Sequence, residues 1–141
     1  MSGLILVYIA APYAALPDSL RPRKERRANT YRAAMLAQLA TRLGWSPICV
    51  HPLIEAGVFG DDSNPVDRAR GIAAVVAQVE LVAQARGHLW VLTRDDGTLS
   101  AGCRHELEAF MLAGGSNVDI ATWAEWSQRR VAAARVTSSV G

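Results

Sequence analysis

Continuous apolar runs alternate with helix-period stretches along the whole chain. Leu4-Ile5-Leu6-Val7-Tyr8-Ile9-Ala10 has no polar break, the pattern of a central strand buried on both faces, and Pro12 ends it. From Arg26 to Leu43 the period changes. Ala33, Leu36, Ala37, Leu39, Ala40 and Leu43 fall on one side of a helix, and Gly44 stops it. Ser46-Pro47-Ile48-Cys49-Val50-His51 reads as a short second strand closed by Pro52. A polar loop from Gly57 to Pro65 leads into an Ala- and Val-rich helix over Asp67–Arg86. His88 to Thr93 is the third strand, and Arg94-Asp95-Asp96-Gly97 carries turn chemistry. Ser100 to Leu112 reads as a helix ended by Gly114-Gly115, and Val118 to Ala121 as a short fourth strand. Ala124 to Arg135 is a last helix, with Val136 to Gly141 a frayed tail.

Strands that alternate with helices predict βαβ units. The expected fold is α/β, a Rossmann-like (flavodoxin-like) three-layer sandwich with a parallel sheet of four to five strands and helices on both faces. At 141 residues the chain fits one domain, 1–141, with a core of its own. Half of the residues are hydrophobic and 20% are charged, which excludes a disordered chain. A net charge of +2 does not by itself argue for a nucleic-acid polymer, and none is expected as a partner. The cations do cluster in Arg21-Pro22-Arg23-Lys24-Glu25-Arg26-Arg27. That run is either a solvated loop and helix start or a phosphate-facing loop beside a site. Two cysteines make no disulfide framework, and no ligand spacing points to a structural metal. Leu4 to Ala10 reads as a first strand rather than a leader, because no basic segment precedes it. With no membrane-spanning run, the cytoplasm is the expected compartment.

In a parallel α/β sheet the ligand lies beyond the carboxyl ends of the strands. Those ends bring Tyr8, Tyr13, His51 and the segment Ser100 to Glu106 towards one cleft. Ser100-x-Gly102-x-x-x-Glu106 joins a strand to a helix start, whose free N–H groups and partial positive charge suit an anion. Glu106 is either a solvated helix carboxylate or the reactive group. Ser100 is a favoured N-cap residue that could touch a phosphate as well. Gly102 permits a close approach or merely a turn. His51 makes either one loop-edge hydrogen bond or a ligand contact. Tyr8 and Tyr13 either pack in the core or line the cleft, and His105 belongs on the surface. Glu80 stands alone in an apolar helix: facing the cleft it would suit a general acid, and on the wet face it would do nothing. Asp61, Asp62 and Asp67 compete with it. Ala10-Ala11-Pro12-Tyr13 carries no glycine fingerprint for a dinucleotide, and no GxxxxGK[ST] occurs, so no cofactor is expected and an ordinary P-loop enzyme is excluded.

Tyr8-Ile9-Ala10-Ala11-Pro12-Tyr13, Gly44 and Pro47 before a strand ending in His51-Pro52, and Ser100-x-Gly102-x-x-x-Glu106 together resemble the nucleoside 2-deoxyribosyltransferase superfamily. Within it the motifs are closest to nucleoside 5'-monophosphate N-glycosidases and to small bacterial and phage relatives of unknown function. The resemblance spans Leu4 to Ala113. It implies that Glu106 is the nucleophile at the anomeric carbon and that the acid towards the leaving base falls at Glu80, where the family usually has aspartate. It implies a 5'-phosphate contact at Ser100. The phosphate would sit on the N–H groups around Ser100 to Cys103, Gly102 among them, with Arg26 or Arg27 adding charge, and Tyr8, Tyr13, His51 and Asp62 are expected among the substrate contacts. It implies hydrolysis of a (deoxy)nucleoside monophosphate, with deoxyribosyl transfer or nucleotide sensing as alternatives, and a homodimer or higher oligomer that needs no metal. The cytokinin-activating phosphoribohydrolases are a poorer match, because Leu99-Ser100-Ala101-Gly102-Cys103 replaces their PGGxGTxxE run.

Overall fold

A computed structural model describes residues 3–61 and 63–140. The chain runs β1 (Leu6–Ala10), α1 (Pro22–Arg42), β2 (Ser46–Ile48), α2 (His51–Glu55), α3 (Pro65–Gln84), β3 (His88–Leu92), α4 (Ala101–Leu112), β4 (Asn117–Ala121) and α5 (Trp123–Val140). The four strands form one all-parallel sheet in the order β2-β1-β3-β4. Tyr8 of β1 lies between Ile48 of β2 and Leu89 of β3. Helices cover both faces, so the expected three-layer α/β sandwich is the observed one.

Each face has its own core. On one side α1 and α5 pack Ala33, Leu36, Leu39 and Trp126 against Val7, Ile9, Trp90 and Leu92. The Trp126 indole satisfies its N–H on the Val91 carbonyl at 3.2 Å. On the other side α3 and α4 pack Val79, Val82, Cys103 and Phe110 against Tyr8, Ala10, Leu89 and Val91. The alternation of side chains along β1 and β3 feeds both cores, which is why these strands read as unbroken apolar runs. Gly87 lets the α3–β3 turn pass under β1: a Cβ there would meet the Leu6 carbonyl oxygen at 2.6 Å.

Element ends differ from the sequence expectation for identifiable reasons. α1 starts at Pro22 instead of Arg26, because proline in the first turn needs no N–H partner. β2 stops at Ile48, and His51-Pro52 opens the short helix α2 rather than ending a strand. α3 starts at Pro65 under an Asn64 cap that accepts from the Val66 and Asp67 N–H groups. α5 starts one residue early on a reciprocal cap between Thr122 and Glu125 and continues through the segment expected to fray. Both cysteines are free thiols. Among the described residues no helix is long and apolar enough to cross a membrane.

Candidate active site

β1 continues into a loop on one side of the sheet's switch point, and β3 into another, so the carboxyl ends of these two strands diverge. A cleft of about 670 Å³ opens there, on the α3/α4 side. Tyr13, His51, Ser100, Gly102 and Glu106 line it, from three distant parts of the chain. An apolar wall of Val50, Ile54, Phe59, Ile72 and Val75 faces them.

Glu106 lies in the second turn of α4, four residues beyond Gly102. Its Oε2 is shut off from solvent and has no hydrogen-bond partner of normal geometry. Its Oε1 lies on the Gly102 side, 3.9 Å from where a Cβ on that glycine would stand. Burial pushes the carboxyl up to about 7, and the Tyr8 hydroxyl opposes that shift. Tyr8 is fully buried in β1, beneath the cleft rather than on its wall. Burial, and after it the Glu106 charge, drives the phenol well above its ordinary value, so it stays protonated. Thus a carboxyl poised between its two charge states stands over a neutral phenol.

Ser100 caps α4. Its Oγ accepts from the Cys103 N–H at 3.2 Å. The Ala101 and Gly102 N–H groups, in the same first turn, precede any intrahelical acceptor and point out of the helix end. The cap role of Ser100 and an anion site at Ala101–Gly102 therefore coexist.

His51 is only 3% exposed. It donates from Nε2 to the Ala11 carbonyl at 2.8 Å, which fixes the tautomer and leaves Nδ1 as an acceptor. Burial lowers its pKa more than the Ala11 and Pro12 carbonyls raise it, so the ring is neutral at pH 7. Tyr13 meets it edge-on, with ring centroids 5.8 Å apart.

Besides Tyr8, three expected contacts lie off the cleft wall. Glu80 is exposed and absent from the cleft lining. At about 100° per residue it sits roughly 140° round α3 from Val75, which faces the cleft. Arg26 and Arg27 do not line the cleft either. They lie inside α1, which packs on the opposite face of the sheet, and Arg27 lines a shallow concavity with Arg21, Pro22, Arg23 and Lys24. Asp62 lies outside the described residues.

Their places are taken by groups the sequence reading passed over or weighed only as competitors. Arg94 and Arg68 supply the cleft's cations, and Asp61 and Asp67 its further carboxylates. Arg94 directly follows the third strand's end, and the strand-end rule that singled out Ser100 applies to it equally. His105 is exposed, as expected, yet stands on the cleft rim. Asp67 Oδ2 accepts from the Asp61 N–H at 3.0 Å, across Gly60 at φ +87°. A Cβ on Gly60 would stand 2.7 Å from that oxygen, so this wall of the cleft requires glycine. Among the described residues no group of three or more His, Cys, Asp or Glu side chains is placed to hold a metal ion.

No curated protein and no solved structure matches the chain. Residues 5–116 match the model of a family described as a domain of unknown function, DUF7768.

Proposed function

The chain belongs to the DUF7768 family, and we propose that this member is an N-glycosidase acting on (deoxy)nucleoside 5'-monophosphates. The observation that carries the reading is Glu106: a carboxyl raised to about 7, with one oxygen occluded beside Tyr8 and the other on the open Gly102 side, one turn above a helix N-terminus. A nucleotide needs this pairing. Its phosphate sits on the Ala101 and Gly102 N–H groups with Arg94 adding charge, and its anomeric carbon comes to the carboxylate.

The reaction balances as two displacements. Glu106 Oε1 bonds to the anomeric carbon as the C–N bond breaks, and the base leaves with a proton from an acid. Water then attacks the glycosyl ester and gives its proton to the carboxylate of that acid, which leaves the sugar phosphate, the free Glu106 carboxylate and the acid protonated again. Oxocarbenium character on the sugar is stabilised by the carboxylate beside it. Glu80 faces away, so the acid is assigned to Asp67, whose Oδ1 is the oxygen not engaged by the Asp61 N–H. The planar base lies between Tyr13 and the apolar wall of Ile54 and Phe59. Transfer of deoxyribose to a second base differs only in the final acceptor.

The test is incubation with a panel of nucleosides and 5'-monophosphates, followed by separation of free bases. Base release lost in Glu106→Ala supports the proposal. No release from any member, or an equally fast variant, overturns it. A second reading, a nucleotide-sensing module without chemistry, is favoured by the solvent-facing Glu80. Calorimetric binding of a monophosphate without turnover would establish it.

A further inference from the structure

The net charge of +2 conceals a strong segregation. α1 with its cap Arg21, together with α5, carries ten of the fifteen cations and only Glu25 and Glu125 among the thirteen acids, a local charge of +8. The rest of the chain holds five cations against eleven acids, or −6. α1 and α5 pack side by side on one face of the sheet. The positive charge therefore forms one layer, on the face opposite the cleft side.

Its arrangement is that of a binding surface. Of the layer's cations, Arg32 pairs with Asp95 and Arg129 with Asp119; no other ion pair forms among the described residues. On α1 the buried Ala33, Leu36 and Ala40 mark the inner face. At about 100° per residue, Arg23, Lys24, Arg27, Tyr31 and Arg42 fall in one stripe of roughly 100° on the outer face. Tyr31, in the middle of that stripe, is 59% exposed. Nine of the ten cations are arginines, whose guanidinium fork matches a phosphate and stacks on flat rings. Arg32 and Arg130 already stack on Trp123 at 5.4 and 5.7 Å.

We infer that the α1/α5 face binds nucleic acid through its phosphates, independently of base sequence. Arginine-rich composition with an exposed ring favours this polyanion over an anionic membrane: no large aliphatic side chain lies within the stripe, and the exposed Leu20 and Leu43 stand beyond its two ends. The inference does not rest on the chemistry of the cleft.

The experiment measures anisotropy of labelled single-stranded and duplex oligonucleotides of about 20 nucleotides, between about 50 and 200 mM salt. Two charge-matched variants are compared, R23E/R27E on the basic layer and R70E/R104E on the opposite one. Arg23 and Arg27 are both exposed, and a glutamate at 23, in the first turn of α1, complements the helix dipole, so the first variant keeps its fold, which a thermal melt checks. Should it unfold, R23Q/R27Q reads the same effect.

Binding that falls steeply with salt, weakens at least about tenfold in R23E/R27E with a shallower salt slope, and stays within about twofold in R70E/R104E supports the inference. Four results overturn it: no binding at the lowest salt; equal weakening in both variants; competition by anionic vesicles or polyglutamate as strong as by unlabelled oligonucleotide; or low-salt self-association that R23E/R27E abolishes while no oligonucleotide binds. Base release from monophosphates is measured in parallel. Its absence counts against the glycosidase and leaves the binding result intact.

Discussion

The Tyr8 hydroxyl and Glu106 Oε2 are enclosed together beneath the cleft, each without a hydrogen bond of normal geometry, and each shifts the other's titration. The phenol, held in its protonated form, holds the carboxyl lower than burial alone would leave it. Tyr8→Phe removes that restraint. In the proposed reaction the carboxylate must be ionised, so base release rises with pH through about 7 in the wild type. In Tyr8→Phe the midpoint of that rise moves higher, so the rate at pH 7 falls below the wild type's. A pH–rate profile checks this. An unmoved midpoint would show that the phenol does not set the charge state of Glu106.

The same carboxyl links stability to pH. Its folded value of about 7 lies above the ordinary 4.5. The folded chain therefore holds the proton more tightly than the unfolded one. The contribution is full below about pH 4.5 and is lost as pH rises through about 7. Glu106→Gln, which cannot ionise, should match the wild type near pH 4.5 and exceed it at pH 8.5 by on the order of 3 kcal/mol. Thermal melts at the two pH values read the difference. A gap between the proteins that does not grow with pH would mean that the carboxyl is hydrated.

Gly102 separates ligand access from folding. Its position in the first turn of α4 is helical, so Gly102→Ala should be neutral or stabilising by up to about 1 kcal/mol. The new methyl would stand 3.9 Å from Glu106 Oε1, inside the approach to the carboxylate. Gly102→Val fills that approach further. Monophosphate affinity should fall in the order Gly, Ala, Val while the melting temperature holds. Affinity that is indifferent to the series would place the ligand elsewhere in the cleft.

What the sequence made legible is what local chemistry encodes. Apolar runs announced β1 and β3, and Gly44 and Gly114 marked where helices stop. The order of strands and helices then sufficed for the three-layer sandwich and for the meeting of Tyr13, His51, Ser100 and Glu106. Glu80 failed on rotation: each residue turns a helix by about 100°, so a boundary shift of one or two decides which wall a carboxylate joins. Arg26 and Arg27 failed on layer, because a run of cations does not say which face of the sheet its helix covers. The polarity of the α1/α5 layer was hidden for the same reason, since a net charge sums over faces that only the fold separates. His51-Pro52 misled because proline both ends strands and starts helices.

Ser100 holds two roles that substitution can part. Its Oγ caps α4 through the Cys103 N–H, so Ser100→Ala should cost about 1 kcal/mol of stability. That loss alone says nothing about a ligand. Aspartate caps a helix as well as serine does, and its charge complements the helix N-terminus. Ser100→Asp should therefore retain stability while placing a negative charge beside the Ala101 and Gly102 N–H groups, where the 5'-phosphate is proposed to sit. A phosphorylated ligand would then bind at least about tenfold more weakly, whereas the matching unphosphorylated nucleoside would be little affected. Calorimetry with the nucleoside and its 5'-monophosphate, on wild type and both variants, separates the roles. Equal loss for the two ligands in Ser100→Asp would remove the phosphate from the α4 N-terminus and leave Ser100 a helix cap alone.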